Sequence, residues 1–337
     1  MEYRVLGTTG ITVSEFALGA MMFGSYSNDD HDESVKMIRT ALDAGVNFID
    51  TADAYSQGES EVIVGKALKG RRDDVVVATK FYFPMGDDPN RGGGSARWIK
   101  RAVEDSLRRL DTDYIDLYQM HRPDQHTDID DSLGALSDLV RAGKVRTIGS
   151  STFPASEIVE AQWVADRRGH QRFRTEQPQY SLLVRGIEAD VLPTIQRHGM
   201  GALTWSPLSG GWLSGRTDPT AGSDLRASWG GMFDMSDPGN QAKLAAVEQF
   251  SKLAAETGIS LPALATAFVL SHPGVTSVIL GGSKPHHLTD LLATSGLRLS
   301  EDVLDRIDEI VPPGTNVRQN DAFATTPAVL DKRLRRR

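Results

Sequence analysis

Asp50, Tyr55, Lys80 and His121 are the residues with the most chemistry to offer. Each stands at or just beyond the end of a short apolar run: Phe48-Ile49-Asp50 with Tyr55 in the segment that follows, Val77-Ala78-Thr79-Lys80, and Tyr118-Gln119-Met120-His121. Taken singly, Asp50 reads as a helix cap or turn residue, Tyr55 as a loop aromatic and His121 as a turn histidine before Arg122-Pro123. Lys80 is harder to dismiss, because a buried lysine without a partner is rare. Together the four suggest one chemistry. A phenol with a pKa of about 10 is a poor acid at neutral pH. An ammonium beside it favours the phenolate and lowers that value. The ammonium must itself stay charged while partly buried, and Asp50 offers the carboxylate it needs. His121 can hydrogen-bond and orient a carbonyl oxygen. The set is a proton donor aimed at an oxygen that becomes negative, as in reduction of a carbonyl. No side chain donates hydride, so this chemistry requires a redox cofactor.

Four such residues meet only if the runs that carry them end on one side of a common scaffold. Eight apolar runs read as strands: Glu15–Leu18, Phe48–Asp50, Val75–Thr79, Ile115–Met120, Val145–Gly149, Thr175–Gln177, Ala202–Trp205 and Val275–Ile279. Several are almost continuously apolar, as strands covered on both faces are. Helical spacing follows them, as in Val35, Ile38 and Leu42, or Ile99, Val103 and Leu107. Ser95 offers a helix start, and Ala44-Gly45 and Ala142-Gly143 offer helix ends. The alternation predicts an α/β fold, a (β/α)8 TIM barrel, whose chemistry sits at the carboxyl ends of the strands. An open doubly wound sheet would normally begin with G-x-G-x-x-G after its first strand, and none is present. A hairpin turning at Gly7-Thr8-Thr9-Gly10 precedes the barrel. A Gly/Ser/Asp-rich loop at 209–240 follows the seventh strand, and a helix with Leu304, Ile307 and Ile310 follows the eighth unit. We expect one domain over 1–310 and a tail over 311–337.

Composition narrows the classes further. The 337 residues contain no cysteine, which excludes disulfides, cysteine–zinc sites, iron–sulfur clusters and thiol nucleophiles. We expect no metal. A net charge of −8 argues against a nucleic-acid partner, and the basic run at 332–337 reads as a solvated tail. No apolar stretch approaches the ~18 residues of a membrane helix, and Met1-Glu2-Tyr3-Arg4 does not open a signal peptide. The expectation is a cytoplasmic protein with no membrane partner; nothing supports an oligomer. Gly281-Gly282-Ser283-Lys284-Pro285 reads either as an ordinary glycine turn or as a phosphate cradle at a helix start. Gly92-Gly93-Gly94-Ser95 reads as a plain loop with a helix cap.

Over about residues 3–310 the sequence resembles the aldo-keto reductases. The resemblance is carried by Asp50-Thr51-Ala52-Asp53-Ala54-Tyr55, Thr79-Lys80 and Leu117-Tyr118-Gln119-Met120-His121. It implies Tyr55 as general acid, Lys80 and Asp50 as the groups that tune it, and His121 as the residue that positions the carbonyl. It also implies NADPH/NADP+ as cofactor. By resemblance Gly19 and Met21 lie at the nicotinamide end beside Asp50, Ser151 and Gln177 hold the carboxamide, and Trp205 stacks on the ring. Ser206, Leu208, Gly210 and Leu213 follow the pyrophosphate. Gly281, Ser283 and Lys284 meet the adenosine 2′-phosphate, and the lysine favours NADPH over NADH. His287 stands where the family often has Arg or Gln, Leu291 near its usual Asn, and Thr152 replaces an Asn.

We expect a substrate pocket lined by Phe23, Tyr82 and Phe153 with Trp212 or Trp229, beside Tyr55 and His121. It would suit a small carbonyl compound with an apolar face. Arg122 reads first as a surface ion pair and second as the partner of an anionic group. The style of Tyr3-Arg4-Val5-Leu6-Gly7 and Trp205-Ser206-Pro207-Leu208 resembles the bacterial and potassium-channel β-subunit branches of the family. That leaves a cofactor-sensing binding subunit as the alternative function, and a nucleotide-linked keto-sugar or a generic aldehyde as alternative substrates.

Overall fold

The computed structural model of the chain describes residues 1–216, 231–282, 284–321 and 332–334. Trp229 and Ser283 lie outside the described residues, as do residues 217–230 in the 209–240 loop and residues 322–331 and 335–337 of the tail.

Eight parallel strands close into a barrel: β3 (Phe16–Gly19), β4 (Phe48–Asp50), β5 (Val76–Phe81), β6 (Ile115–Met120), β7 (Val145–Ser151), β8 (Thr175–Gln177), β9 (Gly201–Thr204) and β10 (Val275–Gly281). β10 pairs with β3 and completes the ring. The helical spacings become His31–Asp43, Ala96–Leu110, Ile129–Arg141, Ala155–Arg168, Val191–Arg197, Leu261–Ser271, Pro285–Leu292 and Glu301–Ile310. Two more helices were not legible as such. Glu59–Leu68 buries Glu61 and contains Gly65, and Pro238–Thr257 buries Asn240 and Lys243 on its inner face. Polar residues on the buried side erase the apolar stripe that marks a helix. Asp237-Pro238, a side-chain cap followed by proline, was the surviving signal for the second. No single helix among the described residues is long and apolar enough to cross a membrane.

Side chains alternate along a strand, so residues two apart share a face. The barrel interior uses this to build two layers. Ala17, Phe48, Ala78, Leu117, Leu203 and Ile279 pack together as an apolar floor. Two residues further along, β4, β5 and β6 present Asp50, Lys80 and Gln119, and Gln177 joins them from β8. The antiparallel hairpin of β1 (Tyr3–Val5) and β2 (Thr12–Ser14) closes the other end, with Leu6 and Val13 buried against the floor. Close approach fixes one glycine in β7. A Cβ at Gly149 would stand 2.1 Å from the Thr175 hydroxyl on β8.

Beyond Glu301–Ile310 the chain turns back on the barrel. Arg185 N–H donates to the Thr315 carbonyl (2.9 Å) and Val317 N–H to the Leu183 carbonyl (3.0 Å). Arg318 pairs with Asp237 at 2.7 Å, and the buried Lys243 pairs with Asp321. These last contacts tie residues 318–321 to the end of the loop after β9 and the start of the helix Pro238–Thr257.

Candidate active site

The polar layer is a hydrogen-bonded unit centred on Lys80. Its ammonium donates to Asp50 Oδ1 (2.5 Å), to the Thr51 carbonyl (2.9 Å) and to Tyr55 Oη (3.4 Å). The other carboxylate oxygen of Asp50 accepts from Gln177 Nε2 (2.7 Å) and Gln119 Nε2 (3.2 Å). Tyr55 opens a tight turn whose next two residues, Ser56 and Gln57, have φ of 47° and 54°. Apart from Asp111, every non-glycine residue described with positive φ lies in a loop at the carboxyl ends of the strands: Ser56, Gln57, Tyr82, Thr152, Ser206 and Ser209. Backbone strain of this kind concentrates at functional sites, where the surrounding structure holds it.

Burial by itself would lower the Lys80 pKa, but the Asp50 carboxylate and the Tyr55 phenol outweigh it and the net direction is up. Lys80 therefore stays an ammonium. For Tyr55 the balance differs from the sequence expectation. Burial pushes the phenol up and exceeds the downward pull of Lys80, so the net direction is above the ordinary value. The lysine offsets part of a desolvation penalty. His121 is displaced well below its ordinary value, first by burial and then by the cations of Lys80 and Arg122, so its imidazole is neutral at physiological pH. Its Nδ1 is buried without a hydrogen-bond partner among the described residues. Its ring meets Tyr55 edge-on at 5.8 Å and Phe83 at 4.8 Å.

These groups open into a cavity of about 1430 Å³. Pockets for single small ligands run to about 1,000 Å³, so this one has room for a larger molecule plus a small one. Gly19, Met21, Asp50, Ser151 and Gln177 line it near the tetrad, together with Trp205. Ser206, Leu208 and Gly210 continue its wall, and Gly281 and His287 lie at the end formed by β10 and Pro285–Leu292. Lys284 is exposed at the N-cap of that helix, off the wall.

Five expected residues are placed elsewhere. Leu213 is fully buried in the core. Phe23 is 1 % exposed and belongs to the same core. Phe153 turns inward after Thr152 (φ 60°) and packs on Phe173. Trp212 packs on Phe233 with the Lys243 ammonium over its ring. The backbone turns at Tyr82 (φ 145°), and Phe83 takes the place on the cavity wall. Met22, Tyr26, Ala54 and Pro84 add further apolar surface to the wall. Tyr26 is fixed by hydrogen bonds from its hydroxyl to the Ala54 carbonyl and from its N–H to the Ser56 hydroxyl.

The donor set fits a nicotinamide dinucleotide. Gln177 spends its amide hydrogens on Asp50 and Gln119, which leaves its carbonyl oxygen as an acceptor for a carboxamide. Ser151 donates to the Gln177 backbone carbonyl and can still accept. The Trp205 indole, on the cavity wall, is held by its N–H on that same carbonyl at 3.2 Å. At the other end, a Cβ on Gly281 would meet no protein atom within 4 Å, so the bare backbone borders open space beside a helix N-terminus. Among the described residues no group of side chains could hold a metal ion.

Comparison with known proteins agrees with this architecture. The model of the aldo/keto reductase family matches residues 15–312. The uncharacterized oxidoreductase YrpG of Bacillus subtilis is 38% identical over 93% of this chain and 97% of its own length. The aldo-keto reductase YhdN of the same organism is 37% identical, over 90% of this chain and 92% of its own. A putative voltage-gated potassium channel subunit beta of Schizosaccharomyces pombe is 34% identical, over 92% and 93%.

Proposed function

The chain belongs to the aldo/keto reductase family, and from that premise we propose that it is an NADPH-dependent oxidoreductase that reduces an aldehyde or ketone to an alcohol. The observation that carries this reading is the chain of contacts Asp50–Lys80–Tyr55 at one end of a cavity that fits a dinucleotide. The dinucleotide, when bound, supplies the hydride. Ser151, Gln177 and Trp205 hold its nicotinamide end, and Gly281 with Ser283 and Lys284 its adenosine 2′-phosphate.

The protein's own residues do the rest. Neutral His121 hydrogen-bonds the carbonyl oxygen and turns it toward Tyr55. The Tyr55 hydroxyl gives its proton to that oxygen as negative charge develops there. Lys80 stabilises the phenolate left behind, and Asp50 keeps Lys80 charged. Phe83, Tyr26 and Met22 shield the reacting carbon from water and accept the apolar body of a small substrate.

NADPH oxidation measured against a panel of aldehydes, ketones, keto-sugars and pyridoxal tests the reading. Turnover that vanishes in Tyr55→Phe supports it; no turnover on any member overturns it. The likeness to channel β-subunits favours a second reading, a subunit that binds the dinucleotide and turns over slowly. Tight NADPH binding by the purified chain, with single slow turnover and a co-purifying partner, would select it.

A further inference from the structure

The structure decides between the two readings of Arg122. Its guanidinium lies on the cavity wall, directly after His121 in the chain. Its Nη1 donates to the His121 carbonyl (2.7 Å) and to Thr152 Oγ1 (2.8 Å), and the guanidinium sits over the Phe83 ring, 5.5 Å from its centroid. Both hydrogen bonds go to neutral oxygens, and no carboxylate pairs with Arg122 among the described residues. Three other arginines with restricted exposure do have one: Arg72 pairs with Asp116, Arg109 with Glu61, and Arg185 with Glu188 and Asp308, whereas Arg4 donates to backbone carbonyls alone. After the Tyr55 phenol, the acid with most influence on Arg122 is the Glu176 carboxylate, whose oxygens already accept from the Ser150 hydroxyl and the Phe153 N–H.

Topology separates this cation from the dinucleotide's phosphates. Arg122 follows β6, which stands four places from β10 in the ring of eight strands. The proposed phosphate-holding segments follow β9 and β10, across the mouth of the barrel. The anion that completes Arg122 therefore arrives with the other ligand.

Resting on the reductase reading above, we propose that Arg122 recognises an anionic group on the substrate, a carboxylate or a phosphate ester. The reactive carbonyl lies against Tyr55 and His121, the body of the molecule runs along Phe83, and the anion ends on the guanidinium. Arginine is suited to this task because its planar fork matches both oxyanions.

The test compares matched substrates with NADPH in the wild type, Arg122→Gln and Arg122→Lys. 4-Carboxybenzaldehyde is set against methyl 4-formylbenzoate, and glyceraldehyde 3-phosphate against glyceraldehyde, so that the two arms distinguish carboxylate from phosphate. The wild type is expected to favour the charged member of at least one pair by about tenfold or more in kcat/KM, through KM. The ratio should collapse to about one in Arg122→Gln and survive in part in Arg122→Lys. A wild-type ratio near one in both pairs, or a ratio untouched by Arg122→Gln, overturns the proposal.

Calorimetry gives a readout independent of turnover. 4-(Hydroxymethyl)benzoate is titrated into the chain with and without NADP+, against its methyl ester. Binding of this acid, or of glycerol 3-phosphate titrated in the same way against glycerol, that is lost in Arg122→Gln supports the assignment; equal binding by both proteins, or binding of neither anion, refutes it. If neither member of any pair nor any carbonyl of the panel above is reduced, the reductase reading fails while the calorimetric result still decides the role of Arg122.

Discussion

Gln177 on β8 donates from Nε2 to Asp50 Oδ2 on β4 at 2.7 Å, a hydrogen bond that crosses the middle of the barrel. One side chain therefore braces the Asp50 carboxylate and, in the proposed reading, presents its carbonyl oxygen to the cofactor. Gln177→Glu would set a second carboxylate against Asp50, and two such groups in contact cannot both ionise. We expect a larger loss of kcat/KM in Gln177→Glu than in Gln177→Ala, with partial recovery as pH is lowered. A pH–rate profile of the two variants checks this.

Tyr55→Phe removes a hydroxyl and little else. Turnover should fall by about 10²–10⁴, the range for loss of a general acid. Binding of NADPH, followed by quenching of tryptophan fluorescence, should change by less than about threefold, because Tyr55 is not among the groups assigned to the dinucleotide. Unchanged turnover would remove Tyr55 from the mechanism.

Lys80→Met leaves Asp50 buried without its counter-ion. Breaking a buried pair from one side costs about 3–5 kcal/mol. Lys80→Met should therefore unfold at a clearly lower temperature than the wild type. Lys80→Met with Asp50→Asn should regain most of that stability and none of the activity. Thermal melts of the three proteins test the pairing separately from the chemistry.

Glu176 supplies a pH dependence of stability. Burial lifts its pKa from 4.5 to about 7, against hydrogen bonds from Ser150 and Phe153. The folded state then holds a proton that the unfolded state has released, so stability declines as pH rises from about 4.5 to about 7 and is flat above. The share due to Glu176 is about 3 kcal/mol. Asp53, raised by burial and by Glu61, acts in the same direction. Thermal melts from pH 5 to 8 should show a shallower decline in Glu176→Gln than in the wild type.

Lys284→Ala tests cofactor choice. NADPH affinity should fall about tenfold or more while NADH affinity changes little, since only the former carries the 2′-phosphate. Equal losses would show that Lys284 does not read that phosphate.

Strand order and tetrad were legible for one physical reason. Strands buried on both faces must be apolar, so Lys80 and Asp50 stood out at the ends of runs where polar groups are costly. Helix Pro238–Thr257 was hidden because its inner face carries Asn240, which donates to the Gly231 and Asp234 carbonyls just before the helix, and Lys243, which pairs with Asp321 far along the chain. The substrate side was misjudged for a related reason. Phe23, Phe153 and Trp212 are aromatic residues near the right strand ends, but positive-φ turns such as Thr152 decide whether a ring faces the cavity or the core. Arg122 carried a readable signal, a cation beside His121, yet only the structure shows that its hydrogen bonds go to neutral oxygens.

β3 hydrogen-bonds β4 on one side and β10 on the other. Its second neighbour begins only at Val275. During synthesis β3 thus emerges from the ribosome with one flank bare, and it stays so until residues 20–274 and the strand after them have been made. Premature stop codons upstream of Val275 should yield insoluble fragments rather than smaller working proteins, because an unpaired strand flank is a template for aggregation.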